Sequence, residues 1–143
     1  MATILCIDDD PRILELYATL IEAKGYKVLT ASDGPTGIAL TRTHRIDAVV
    51  LDLNMSGMDG HEVAQVLTKE QPTLPVVILS GYPDETPESL RWFADVLLHK
   101  GDGPLPLLLA IDRILKHSRR RNAPSEEIIN NAPVPTTGRL GAA

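Results

Sequence analysis

Ile4-Leu5-Cys6-Ile7-Asp8-Asp9-Asp10-Pro11-Arg12 runs four apolar residues straight into three carboxylates. The apolar half reads as a strand buried on both faces, the kind a parallel sheet requires. The acidic half is costly where it stands, because neighbouring like charges repel more strongly beside an apolar core. A strand that ends this way needs raised carboxyl pKa values or a cation.

Short β-rich apolar runs recur down the chain: β1 at 3–7 (TILCI), β2 at 27–31 (KVLTA), β3 at 48–53 (AVVLDL), β4 at 75–79 (PVVIL) and β5 at 96–98 (VLL). Helix-like segments at 11–24, 35–43, 61–70, 86–93 and 104–117 lie after them. In the first, Ile13, Tyr17, Leu20 and Ile21 share a face that stops at Gly25. Five βα units in a row predict an α/β domain with a parallel sheet and right-handed crossovers that place helices on both sides.

The 143 residues suit one domain, and 43% hydrophobic with 23% charged residues is ordinary for a globular protein. No apolar run approaches the roughly 20 residues of a membrane span. The N-terminus lacks the basic and apolar regions of a signal peptide. Cys6 is the single cysteine and reads as a small core residue, so neither an internal disulfide nor a thiolate zinc site is expected. The expected location is the cytoplasm. Residues 1–118 hold 10 Lys+Arg against 17 Asp+Glu, a net of −7, which makes a poor nucleic-acid binder. Residues 119–143 carry a net of +2 and three prolines, and read as a disordered C-terminal tail after a domain at 1–118.

The polar residues at the strand ends carry the chemistry. Asp8 and Asp9 follow β1, Asp52 stands at the end of β3, Ser80 follows β4 and Lys100 follows β5. In open α/β sheets ligands bind outside the carboxyl ends of the strands at a topological switch point. With strand order 2-1-3-4-5 that point lies between β1 and β3, so three carboxylates meet in one crevice. All-oxygen ligation completed by water suits Mg²⁺, and Lys100 balances the remaining charge. A divalent cation, a lysine, a hydroxyl and a spare carboxylate can handle a phosphoryl group. Asp10 is separate. It precedes Pro11 and reads as a helix N-cap with proline in the first turn.

Over residues 2–118 the chain resembles the receiver domain of two-component response regulators. The resemblance rests on Ile7-Asp8-Asp9-Asp10, Val50-Leu51-Asp52 through Gly60, Ile78-Leu79-Ser80-Gly81 and Ala94-Asp95 through Lys100, in that order. It implies a flavodoxin-like three-layer sandwich with five helices. It implies Asp52 as phosphoacceptor, with Mg²⁺ ligated by Asp9, Asp52 and the backbone carbonyl of Asn54, and by Asp8 through water. Ser80 and Lys100 would hold the phosphoryl group. The donor would be a phosphohistidine on a sensor kinase or phosphotransfer protein. The output would be a switched face formed by 86–93, β5 and 104–117 for a downstream protein partner. The chain would then be no enzyme beyond its own phosphorylation and dephosphorylation. Neither direct nucleic-acid binding nor membrane insertion is expected, and a homodimer is compatible with the resemblance.

Three positions depart from that pattern. Leu97 stands where the family commonly has Tyr or Phe on β5, so the usual coupling of serine to an aromatic ring is not available. Gly101 replaces the proline that usually follows the lysine. A cis bond before a non-proline costs about 2.5–4 kcal/mol, so a trans bond and a looser loop are expected. Ser56 replaces a proline after Met55 and is expected to loosen the loop after β3. The alternative reading is a pseudo-receiver, an interaction module independent of phosphorylation. A dehalogenase-type hydrolase fits less well: Asn54 cannot serve as the acid two residues past its nucleophile, and that motif belongs on the first strand. An FMN phosphate after β1 would be repelled by Asp8 and Asp9. Asp47 and Asp59 read as surface or turn residues, the latter in a Met-Asp-Gly turn. His44, His61, His99 and His117 show no ligand spacing and read as solvated or capping groups, with only His99 near the site.

Overall fold

In the computed structural model, residues 1–57, 59–82, 84, 86, 88 and 94–121 are described, the last four by backbone alone. The strands are β1 (Thr3–Ile7), β2 (Lys27–Ala31), β3 (Ala48–Asp52), β4 (Val76–Ser80) and β5 (Val96–His99). The helices are α1 (Pro11–Ala23), α2 (Gly34–Thr43), α3 (Gly60–Glu70) and α4 (Pro104–Arg121). The helix expected at 86–93 falls almost wholly outside the described residues, as does the tail from 122. The last helix runs to Arg121, past the expected boundary at 118.

All five strands are parallel, in the order β2-β1-β3-β4-β5. Side-chain alternation sorts the sheet into two cores. Leu5, Ile7, Val49, Leu51 and Ile78 face α2 and α3, together with Ile38, Val63 and Leu67. Ile4, Cys6, Val50, Val77 and Leu79 face α1 and α4, together with Leu14, Tyr17, Ile21, Leu107 and Ile111. β1, β3 and β4 are therefore covered on both faces, which gives the three-layer flavodoxin-like sandwich. Burial, and then the charge of Asp8, pushes the Cys6 thiol up to about 12, so it is an inert packing residue.

Local chemistry starts each helix. Asp10 caps α1 by accepting from the Arg12 amide at 2.9 Å, with Pro11 in the first turn. On that helix Leu14 is buried with Tyr17 and Ile21, whereas Ile13 and Leu20 are half-buried. Asp33 caps α2 through the Thr36 amide at 2.7 Å, so α2 opens at Gly34 rather than at 35. Asp59 does more than turn the chain, because it forms a reciprocal capping box with Glu62 at the start of α3. Asp47 likewise does more than occupy a turn, since it accepts the Thr3 amide at 2.7 Å. Tyr26 and Lys24 both bind Asp112, tying the turn after α1 to α4. Among the described residues no helix is long and apolar enough to cross a membrane.

Candidate functional site

Sheet register builds the site. Ile7 pairs with Leu51, so the next residues, Asp8 and Asp52, stand at neighbouring strand ends. Asp52 pairs with Leu79 and Ser80 pairs with His99, so Ser80 and Lys100 follow on the next two strands. Asp8, Asp52 and Ser80 are 2%, 1% and 1% exposed. Asp9 is exposed at the rim. One carboxylate oxygen from each of Asp8, Asp9 and Asp52 lies within 4.8 Å of the others.

Lys100 is the counter-ion. Its Nζ stands 3.1 Å from Asp52 Oδ1 and 3.5 Å from Asp8 Oδ2. Burial pulls the Lys100 pKa down, but Asp52 and then Asp8 more than offset this, and the net shift is upward. Burial and then the Asp8 charge push the Asp52 carboxyl up to about 6, against hydrogen bonds from the Asn54 amide and Lys100. Three carboxylates and one ammonium leave an excess of two negative charges. Asp52 Oδ2 is buried with no hydrogen-bond partner among the described residues. A buried, unpaired carboxylate oxygen beside two further carboxylates fits a hard divalent cation with oxygen ligands, and Mg²⁺ suits that set.

The loops that hold these groups carry features the sequence did not disclose. The Asp10 amide donates to Asp8 Oδ1 at 2.9 Å, so the third acidic residue serves the site through its backbone while its side chain caps α1. Asn54 donates its amide to Asp52 Oδ1 at 3.1 Å, and its side-chain Oδ1 accepts from the Gly81 amide at 3.1 Å. The loops after β3 and β4 are thereby joined beside Ser80. The Ser80 hydroxyl accepts from the Tyr82 amide at 2.9 Å, and among the described residues its own proton has no acceptor. Ser56 corrects an expectation. Its amide and hydroxyl donate to Asp9 Oδ2 at 3.1 and 3.2 Å, so the residue ties the loop after β3 to Asp9 instead of loosening it. A proline there would lack the N–H. Leu97 packs, half-buried, against the core that faces α2 and α3. The Lys100–Gly101 bond is trans, as expected.

The backbone is crowded under Asp52. A Cβ on Gly60 would lie 2.5 Å from Leu53 Cα and 2.7 Å from the Asp52 carbonyl oxygen. Asp59 and Gly60 thus act together, the first capping α3 and the second letting its first turn pass close against the end of β3.

The fold and this acidic crevice define a class of α/β domain with a carboxylate cluster and a lysine at its switch point. The response regulator receiver domain family matches residues 4–104, and the chain belongs to that family. Response regulator GtcR of Aneurinibacillus migulanus is 33% identical over 140 residues, which are 96% of this chain and 57% of that protein. Protein PilH of Pseudomonas aeruginosa is 36% identical over 88 residues, 60% of this chain and 73% of that protein. The chain thus spans just over half of GtcR, and it spans 18% of the Escherichia coli transcriptional regulatory protein GlrR. Among solved structures, response regulator TrrA of Thermotoga maritima in complex with Mg²⁺–BeF is similar at TM-score 0.75 and 29% identity, covering 80% of this chain and 100% of that one. The same regulator in complex with histidine kinase ThkA matches at TM-score 0.74 and 29% identity, covering 80% and 99%.

Proposed function

We propose that the chain accepts a phosphoryl group on Asp52 from a phosphohistidine and passes the signal on through protein contacts. The observation that carries this reading is Asp52 itself. It is buried between Asp8 and Lys100, with one oxygen held by the Asn54 amide and Lys100 and the other without a hydrogen-bond partner among the described residues. The kinase complex of the similar regulator TrrA supports a histidine kinase as donor.

In the transfer, the Asp52 carboxylate forms a P–O bond as the P–N bond to the donor imidazole breaks. Without a cation, burial and then Asp8 raise the Asp52 carboxyl to about 6; a divalent cation among the carboxylates would draw it back down and keep the group ionised at neutral pH. Lys100 faces the transferred charge, and the Ser80 proton is free to donate to a phosphoryl oxygen. Asp9, Asp52 and the Asn54 carbonyl would hold Mg²⁺ directly, with Asp8 acting through water. When bound, the ion neutralises the carboxylates and the charge on the phosphoryl oxygens. Catalysis is then positioning and charge balance.

Phosphorylation takes Asp52 from one negative charge toward two. Ser80 would turn toward the phosphoryl group, and the Asn54–Gly81 hydrogen bond would carry that change into the loop after β4. The receiving surface would include β5 and α4, offered to a partner protein in the cytoplasm; the third part of the expected face, 86–93, falls almost wholly outside the described residues. Incubation with Mg²⁺ and acetyl phosphate tests the reading: intact mass should rise by one phosphoryl group in the wild type and not in Asp52→Asn. No gain in the wild type would leave the pseudo-receiver, an interaction module on the same fold.

A further inference from the structure

We propose that His99 is a positioning residue for Lys100, acting through a hydrogen bond that requires glycine at position 101. The proposal rests on the phosphoacceptor reading for its kinetic consequence only.

His99 ends β5 and has extended backbone (φ −85°, ψ 128°). Its ring Nδ1 accepts from the Gly101 amide at 2.7 Å, across the residue that carries the ammonium. Residues Lys100–Asp102 form a single 3₁₀ turn, and His99 is its cap. The bond closes the first step of that turn, the job a short polar side chain performs at a helix start. Gly103 then leaves the turn with φ +80°, a conformation suited to glycine. The side chain of Lys100 spans from this exposed turn to Asp52 and Asp8 inside the crevice. Apart from those contacts of its own ammonium, the His99 bond is the side-chain restraint seen on the turn among the described residues.

Residues 99 and 101 are matched to each other. A Cβ at position 101 would lie 2.8 Å from His99 Cε1 and 2.9 Å from Nδ1. The ring is exposed and free to swing away, so a larger residue at 101 would be tolerated by the fold. It would, however, break the hydrogen bond. A proline would also lack the donor. Histidine and glycine together thus set the turn by a side-chain acceptor and a free amide.

The test uses four proteins: wild type, His99→Ala, Gly101→Ala and His99→Asn. Asparagine can accept from the amide two residues on in the same way. A 15N–15N coupling across the hydrogen bond between the His99 ring and the Gly101 amide is expected in the wild type and lost in Gly101→Ala. Backbone order parameters at 100–102 should fall in His99→Ala and Gly101→Ala and hold in His99→Asn. Phosphorylation by acetyl phosphate should slow about tenfold in the two alanine variants and recover in His99→Asn, while Mg²⁺ affinity is not weakened in any of them. Unchanged order parameters and an unchanged rate in both alanine variants would overturn the proposal, as would slowing in His99→Asn equal to that in His99→Ala. If the wild type takes no phosphoryl group, the phosphoacceptor reading fails, and the coupling and order parameters still decide the role of His99.

Discussion

Lys100 Nζ stands 3.1 Å from Asp52 Oδ1, joining the end of the edge strand β5 to the end of the central strand β3. It is the only ammonium paired with this carboxylate among the described residues. Lys100→Met should therefore leave Asp8 and Asp52 buried with no counter-ion. Breaking a buried pair by removing one partner typically costs about 3–5 kcal/mol, and the partial exposure of Lys100 reduces that to about 2 kcal/mol. Urea denaturation in chelator at pH 7.5 should show this loss. Saturating Mg²⁺ should recover part of it.

Stability should also carry the titration of Asp52. Its carboxyl is raised from 3.8 to about 6 in the folded chain, first by burial and then by Asp8. Between those values the folded state binds the proton and the unfolded state does not. The contribution of Asp52 to stability is thus fully present below about pH 4 and is lost as pH rises through 6. Denaturation of metal-free wild type and Asp52→Asn from pH 4.5 to 7.5 isolates it. The difference should move in favour of the variant as pH rises, by a few kcal/mol at most. A difference independent of pH would contradict the shift.

Gly60→Ala should be among the most damaging small substitutions. Its Cβ would press on the backbone of Leu53 and on the Asp52 carbonyl, neither of which can yield cheaply. A loss of about 2–3 kcal/mol is expected, with slower labelling of Asp52. Gly57→Ala is the control. Its position is open and only its φ of +73° is strained, so about 1 kcal/mol is expected.

Ser56 should tune the metal site. Ser56→Ala removes the hydroxyl bond to Asp9 Oδ2 and keeps the amide bond, whereas Ser56→Pro removes both. Isothermal calorimetry should show Mg²⁺ binding weakened about threefold in Ser56→Ala and about tenfold in Ser56→Pro. Equal affinities in all three proteins would show that Asp9 needs no such support.

The sheet and the crevice were legible because strand ends and charges are local features. The continuous apolar runs fixed β1, β3 and β4 as doubly covered strands, and register alone then brought Asp8, Asp52, Ser80 and Lys100 together. Helix starts moved by a residue where an acidic cap, Asp33 or Asp59, decides the first turn. The hydrogen bonds of Ser56 to Asp9, of Asn54 to Gly81 and of His99 to Gly101 were not legible. Each depends on loop backbone that has no periodicity, and the first two join residues 47 and 27 positions apart. The free amide of Ser56 could have been noticed as a donor that proline would lack. Its partner could not.

A phosphoryl group taken by Asp52 is an acyl phosphate, and its position can be located chemically. Protein treated with Mg²⁺ and acetyl phosphate is reduced with borohydride, which converts a phosphorylated aspartate to homoserine, and the peptides are mapped by mass spectrometry. Homoserine at position 52 alone, absent without Mg²⁺, is the expected result. Homoserine at position 8 or 9 instead, or at no position in protein that remains folded, would rule out Asp52 as the phosphoacceptor.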